Sequence, residues 1–353
     1  MNTDNSIKFD LNRLVRENVK GLQPYSSARD EYLADGSEKI FLDANENPFQ
    51  NGVNRYPDPQ QQSLKSILAE RNGLDKGQIL LGNGSDEILD LIFRAFCEPK
   101  TDNIITMPPT YGMYKVLAGI NDIENREVLL TNGFQLDVAA ILKATDTNTK
   151  AIFFCSPNNP TGNSFDTGAI TRLLNEFPGL VVIDEAYIDF SKNNSWLQKL
   201  SQYPNMVITQ TFSKAYGMAG LRLGACYASK DIIGILNKIK PPYNVNERTQ
   251  QEVFQRIDTL DVLQQHVSNI KSERDRLAST LLLIPFIEKV YNSDANFLLA
   301  KVDDADKRYA EILKKGIVVR NRTNQPLCGN TLRFTVGTKE ENDTLINVLT
   351  NLV

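Results

Sequence analysis

Five short apolar runs recur in the first two thirds of the chain: Gln78–Leu81, Asn103–Met107, Ala151–Cys155, Leu180–Ile183 and Met206–Thr209. They alternate little between apolar and polar positions, the pattern of strands covered on both faces. The segments between them, such as Asp86–Phe96 and Thr167–Glu176, repeat apolar positions at helical spacing. Strands alternating with helices predict an α/β architecture, a mostly parallel sheet flanked by helices. Each run leads into a loop: Gly82–Asp86, Pro108–Tyr111, Ser156–Gly162, Asp184–Tyr187 and Thr211–Lys214. Ligands in open α/β sheets bind beyond the carboxyl ends of the strands, so these five loops are expected to meet at one crevice. After Pro241-Pro242-Tyr243 the pattern changes to a long charged helical stretch, about 246–283, and then to strand-like 295–301, 317–320 and 331–336. That change predicts a smaller α+β domain.

Length agrees with two domains, since 353 residues exceed the roughly 250–300 at which single cores stop growing. The 41% hydrophobic and 23% charged residues are those of an ordinary globular chain. A net charge of −4 and a pI near 5.4 argue against a nucleic-acid partner and for a small molecule. Cys97, Cys155, Cys226 and Cys328 lack the paired spacing of a zinc site or a disulfide framework, so no metal is expected. No apolar run approaches the roughly 18 residues of a membrane span, and the polar start lacks a signal-peptide pattern, so a cytoplasmic protein is expected. The single histidine, His266, lies in a polar helical segment and reads as structural or solvated. One histidine rules out a multi-histidine metal site and disfavours a serine–histidine–acid triad.

Candidate chemistry centres on Lys214, in Thr211-Phe212-Ser213-Lys214. A lysine amine condenses with an aldehyde when deprotonated, a state favoured by partial burial and a nearby cation such as Arg222. Read alone, such a lysine can equally be a solvated surface group. Leu81-Gly82-Asn83-Gly84-Ser85-Asp86 joins a strand to a helix, where free backbone N–H groups at Gly84, Ser85 and Asp86 suit a phosphate. The alternative is a glycine turn with Ser85 or Asp86 capping the helix. Glu87 stands where a dinucleotide fingerprint needs its third glycine, which weakens a nicotinamide-enzyme reading. Asp184 ends an apolar run and, once buried, needs a cation, unless it caps a helix or joins an ion pair. Tyr111 can stack on a flat ring or pack in a core. Asn159 can bind a ligand oxygen or shape the Pro160 turn, and Tyr187 offers a phenol donor. Thr211, Ser213 and Arg222 together suit phosphate oxygens. Arg333 is a charge within a strand-like run, poorly explained unless it meets an anion.

Asn158-Asn159-Pro160-Thr161-Gly162, Asp184-Glu185-Ala186-Tyr187 and the Lys214 stretch follow in the order that resembles the fold-type I aminotransferases, which use pyridoxal 5′-phosphate. Leu42-Asp43-Ala44-Asn45-Glu46-Asn47-Pro48, Asn54-Arg55-Tyr56-Pro57, Tyr111-Gly112-Met113-Tyr114, Pro241-Pro242-Tyr243-Asn244 and Leu332-Arg333-Phe334-Thr335 resemble one subgroup, the histidinol-phosphate aminotransferases. The likeness spans nearly the whole chain. It implies that Lys214 holds the cofactor and moves the proton, that Asp184 meets the pyridine nitrogen, and that Asn159 and Tyr187 face the phenolic oxygen. It further implies Tyr111 on the ring, the 84–86 turn with Thr211, Ser213 and Arg222 at the phosphate, and Tyr56 reaching the neighbouring subunit's cofactor in a homodimer. Arg320 and Arg333 would receive the substrate phosphate or a glutamate carboxylate, and Tyr25 would assist or simply pack. The N-terminal segment is expected to join the smaller domain, giving residues 35–245 as the large domain and 1–34 with 246–353 as the small one.

The expected reaction moves the amino group of histidinol phosphate to 2-oxoglutarate, giving imidazole-acetol phosphate and glutamate in histidine biosynthesis. An aromatic-amino-acid aminotransferase and a threonine-phosphate decarboxylase would share the cofactor residues. A cofactor-binding module without turnover would be expected to lack Lys214, Arg320 or Arg333, all of which are present.

Overall fold

Residues 9–25, 40–257 and 260–352 are described by a computed structural model of the chain. The larger sheet holds β1 (Ile79–Asn83), β2 (Asn103–Thr106), β3 (Glu124–Glu127), β4 (Thr149–Cys155), β5 (Leu180–Asp184), β6 (Met206–Thr211) and β7 (Leu223–Tyr227). Their spatial order is β1-β7-β6-β5-β4-β2-β3. The run from β3 to β6 is parallel, and β7 alone is reversed, antiparallel to both β6 and β1. Sequence patterning finds five of these strands. It misses β3, a polar edge strand reading Glu-Asn-Arg-Glu, because one-sided solvent contact removes the apolar signal. It also misses β7, which follows β6 without a crossover helix.

The helices in chain order are α1 (Leu11–Leu14), α2 (Glu17–Lys20), α3 (Gln62–Asn72), α4 (Ser85–Phe96), α5 (Met113–Ile120), α6 (Val138–Lys143), α7 (Thr167–Glu176), α8 (Lys230–Ile239), α9 (Glu247–Ile257), α10 (Leu260–Leu281), α11 (Ala305–Lys314) and α12 (Lys339–Thr350). The single helical stretch expected over about 246–283 is therefore two helices, α9 and α10. Two apolar clusters cover the faces of the large sheet: Ile105, Ile152, Val181 and Ile208 point into one, Phe153, Val182 and Val207 into the other. Burial on both faces is what the uninterrupted apolar runs require.

A second sheet, in the order β10-β11-β9-β8, is antiparallel throughout: β8 (Ile287–Val290), β9 (Phe297–Val302), β10 (Arg320–Asn321) and β11 (Thr331–Thr335). It packs with α10, α11 and α12 around Leu298, Ala300, Leu332 and Phe334. The smaller α+β unit is thus present.

The N-terminal segment is anchored differently from its expected place on the smaller unit. Leu14, Val15 and Val19 are buried in the cluster that contains α4 and α8, the Arg16 N–H donates to the Ala95 carbonyl (3.0 Å), and Lys238 reaches the Lys20 carbonyl (2.9 Å). Its anchoring contacts therefore lie on the larger body, because its apolar residues match the face that α4 and α8 leave open. Residues 26–34 of the expected segment lie outside the described residues.

Candidate active site

The carboxyl ends of β1, β2, β5 and β6 lie on the same side of the sheet, and their loops, with Cys155 at the end of β4, enclose a cavity of about 190 Å³. Ser85, Asp86, Tyr111, Asp184, Tyr187, Thr211, Ser213, Lys214 and Arg222 all line it. These nine residues come from four of the five expected loops, those after β1, β2, β5 and β6, separated by up to 137 positions in sequence, while the 156–162 loop reaches the site only through Asn159 behind Tyr187.

At the β1–α4 turn, Gly84 adopts φ +78° and no side chain caps the helix that starts at Ser85. The capping alternative is therefore not realised, since Asp86 instead accepts a hydrogen bond from the Tyr111 hydroxyl (3.0 Å). A Cβ at position 84 would lie 2.6 Å from Arg222 Nη2, so glycine admits the guanidinium against the open helix end. Gly224 on β7 plays the matching role, since a Cβ there would overlap the backbone of Gly84 and Ser85. Arg222 itself takes a left-handed φ of +53°, a costly choice for a non-glycine residue. It turns the guanidinium toward Ser213 Oγ (3.4 Å) and the Ala219 carbonyl (3.3 Å). Free N–H groups, two hydroxyls and a guanidinium together form an anion cradle.

Across the cavity, Asp184 is 2% exposed. Its carboxylate accepts from the Tyr114 hydroxyl (3.0 Å) and the Ala186 N–H (3.2 Å), and among the described residues it forms no ion pair. Burial pushes this carboxyl up to about 6 despite those hydrogen bonds. A buried carboxylate short of a cation is the partner a protonated ring nitrogen needs.

Lys214 is accessible through the cavity, with its ammonium 5.8 Å from the centre of the Tyr187 ring. Its pKa is lowered first by burial, next by Arg333 and only then by Arg222. Arg222 alone was the expected neighbouring cation, and Arg333 contributes more. Such an amine deprotonates more readily than a surface lysine, as nucleophilic attack requires.

Asn159 and Arg333 stand behind Tyr187. Asn159 Nδ2 donates to the Tyr187 hydroxyl (3.4 Å), and Arg333 Nη1 donates to Asn159 Oδ1 (2.5 Å). The Arg333 guanidinium also lies 5.0 Å from the Phe297 ring centre, and that ring meets Tyr187 edge-on at 5.2 Å. Arg333 pairs across β10–β11 with Arg320, and burial with the neighbouring Arg322 brings its pKa down to about 10. Arg333 Nε and Arg322 Nε are buried without a hydrogen-bond acceptor. Three clustered guanidinium groups with unused donors define a second anion-binding region beside the cavity.

Two expected residues stand apart. Tyr56 is 52% exposed and stacks on Tyr243 at 4.4 Å, lining a separate cavity with Glu46 and Arg248. Tyr25 is 73% exposed and does not line the Lys214 cavity. His266 is exposed on α10, away from the chemistry. Sequence reasoning passed over Cys155, Gly224, Phe297 and Arg322, and gave Tyr114 no role. Tyr114 had one available signal: it follows Tyr111 by about one helical turn, so both rings can face the same way.

The family model for class I and II aminotransferases matches residues 30–349. The chain is 65% identical over 342 residues to a histidinol-phosphate aminotransferase of Flavobacterium johnsoniae, covering 97% of this chain and 98% of that one. It is 53% identical over 343 residues to the protein of that name from Parabacteroides distasonis, covering 97% and 99%. Among solved structures, the histidinol-phosphate aminotransferase of Clostridium acetobutylicum superposes with a TM-score of 0.79 at 24% identity, covering 85% of this chain and 91% of the other. The enzyme of that name from Sinorhizobium meliloti, in complex with pyridoxal-5′-phosphate, gives 0.76 at 21% identity, covering 85% and 84%. These two structures share the fold.

Proposed function

The chain belongs to the class I and II aminotransferases, and from that membership we propose that it transfers the amino group between histidinol phosphate and 2-oxoglutarate in histidine biosynthesis. The observation that carries the cofactor reading is the single cavity holding an accessible lysine, a buried carboxylate without a cation and an anion cradle. Those three features fit the aldehyde side, the ring nitrogen and the phosphate of pyridoxal 5′-phosphate. The near-complete likeness to relatives of that activity supports the substrate.

When bound, the cofactor supplies an aldehyde that captures amines and a ring that draws electrons from the carbon bearing the amino group. The chain's own residues do the rest. Lys214, its amine poised by burial and two guanidinium groups, would form the attachment point and, when free, would carry a proton to and from the substrate carbon. Asp184 would hold the proton on the ring nitrogen, and Asn159 with Tyr187 would donate to the phenolic oxygen. The backbone N–H groups of Ser85 and Asp86, with Thr211, Ser213 and Arg222, would hold the phosphate, and Tyr111 would cover the ring. Arg333, with Arg320 and Arg322, takes the substrate phosphate in one half-reaction and a carboxylate in the other.

We further propose a cytoplasmic homodimer in which Tyr56 serves the neighbouring site. Ile40, Leu42, Phe49 and Val53, in the same stretch of chain as Tyr56, are all exposed, apolar groups of the kind that a partner covers. Among the described residues no helix is long and apolar enough to cross a membrane. Adding histidinol phosphate to the loaded enzyme should shift the cofactor's visible absorbance in a single turnover, and 2-oxoglutarate should restore it. No shift with histidinol phosphate, alongside a ready shift with phenylalanine, would reject the substrate.

A further inference from the structure

Tyr114 lies on α5, 1% exposed, and has no place in the reaction as described so far. Its hydroxyl donates to Asp184 Oδ2 at 3.0 Å, while the other carboxylate oxygen accepts from the Ala186 N–H. The same ring meets Tyr111 edge-on, 5.6 Å between centres at 86°, and leans on Phe153 at 5.7 Å. One side chain thus joins the residue that would cover the cofactor ring to the residue that would hold its nitrogen.

We propose that Tyr114 is a positioning residue that acts through Asp184, fixing the carboxylate's orientation and keeping its charge available to the cofactor. A hydrogen bond to a charged acceptor in a dry site is stronger than one between neutral groups, and its loss leaves the charge undersupported. The other titratable groups facing Asp184 are Asp86, Tyr111, Cys155, Tyr187 and Lys214. Asp86 opposes its ionisation, and Lys214 alone among them is a cation. The phenol of Tyr114 resists ionisation itself, first through burial and then through the neighbouring carboxylate, so it stays a donor over the working pH range.

The test is Tyr114→Phe, which removes the hydroxyl and keeps the ring against Tyr111 and Phe153. Its cofactor arm rests on the proposed function. Equilibrium dialysis of pyridoxal 5′-phosphate should show affinity about tenfold weaker than wild type, and the same change in an Asp184→Asn background should add almost nothing, as expected of two residues acting as one unit. A second arm uses the apoprotein. Burial raises the Asp184 pKa in the folded chain, so its folded form binds more protons than the unfolded one and the protein loses stability as pH rises from about 4 to about 6. Tyr114→Phe should carry that loss of thermal stability to higher pH, and Asp184→Asn should abolish the difference. Unchanged affinity and an unchanged pH profile, or losses that persist in full in the Asp184→Asn background, overturn the proposal. Wild-type protein that takes up no cofactor would instead reject the proposed function, and the apoprotein arm would still decide the role of Tyr114.

Discussion

Asp184 and Glu185 are consecutive carboxylates at the end of β5, 2% and 1% exposed, and they face opposite sides of the sheet. Glu185 accepts from Ser195 Oγ (2.5 Å), the Trp196 N–H (2.7 Å) and Gln210 Nε2 (2.9 Å), so its hydrogen-bonding capacity is spent on tying the 191–197 segment to β6. Asp184 receives two donors and opens onto the Lys214 cavity. Burial raises both, Glu185 to about 7 and Asp184 to about 6. A perturbed carboxyl is therefore no mark of function by itself. What separates the pair is the face of the strand on which each sits, and whether its partners already satisfy it.

The contrast breaks most sharply at Lys214. Lys214→Ala should lower turnover about 10³-fold or more, and borohydride should no longer fix the cofactor to the chain by mass spectrometry. Normal steady-state turnover in that variant would reject the mechanism. Next come the two carboxylates themselves: Asp184→Asn should cut kcat about 10²-fold, whereas Glu185→Gln should leave kcat within about twofold. Equal losses in both would erase the distinction between the two faces.

On the substrate side, Arg333→Lys keeps the charge and loses the planar fork. KM for histidinol phosphate should rise roughly 10-fold. Gly224→Ala forces a methyl against the Gly84–Ser85 backbone, and should destabilise the protein by about 1–3 kcal/mol while weakening cofactor binding. The smallest effect on activity and the sharpest on pH belongs to Glu185. Its folded pKa is raised, so the stability it contributes is present below the unfolded value and is lost as pH climbs through about 7. Melting temperatures across pH 4 to 8 should decline less steeply in Glu185→Gln than in wild type, and identical slopes would show that Glu185 does not titrate there.

Legibility followed the physical origin of each feature. Strands β2, β4, β5 and β6 were readable because sheets covered on both faces need unbroken apolar runs, and β3 was not because its solvent edge removes that need. Lys214 and Asp184 each follow an apolar run and were ambiguous alone; the order of the motifs around them singled them out, with Arg222 as a cation near Lys214 in sequence. Gly224 was silent, since a glycine in a strand announces nothing until the backbone it accommodates is in place. Arg322 carried no signal beside Arg320, because the two-residue alternation of an extended chain must be fixed by pairing with β11 before either can be assigned a side.

The order of runs and loops along the chain determined the α/β architecture and the set of groups able to hold a phosphate, a ring and an amine, because periodicity and residue chemistry are local properties. Tertiary structure alone decided which groups meet: the Tyr114 hydroxyl on Asp184, Arg333 rather than Arg222 as the stronger influence on Lys214, and the N-terminal segment on α4 and α8. Those outcomes depend on distances between residues far apart in sequence, and electrostatic and hydrogen-bond energies are set by such distances and by burial.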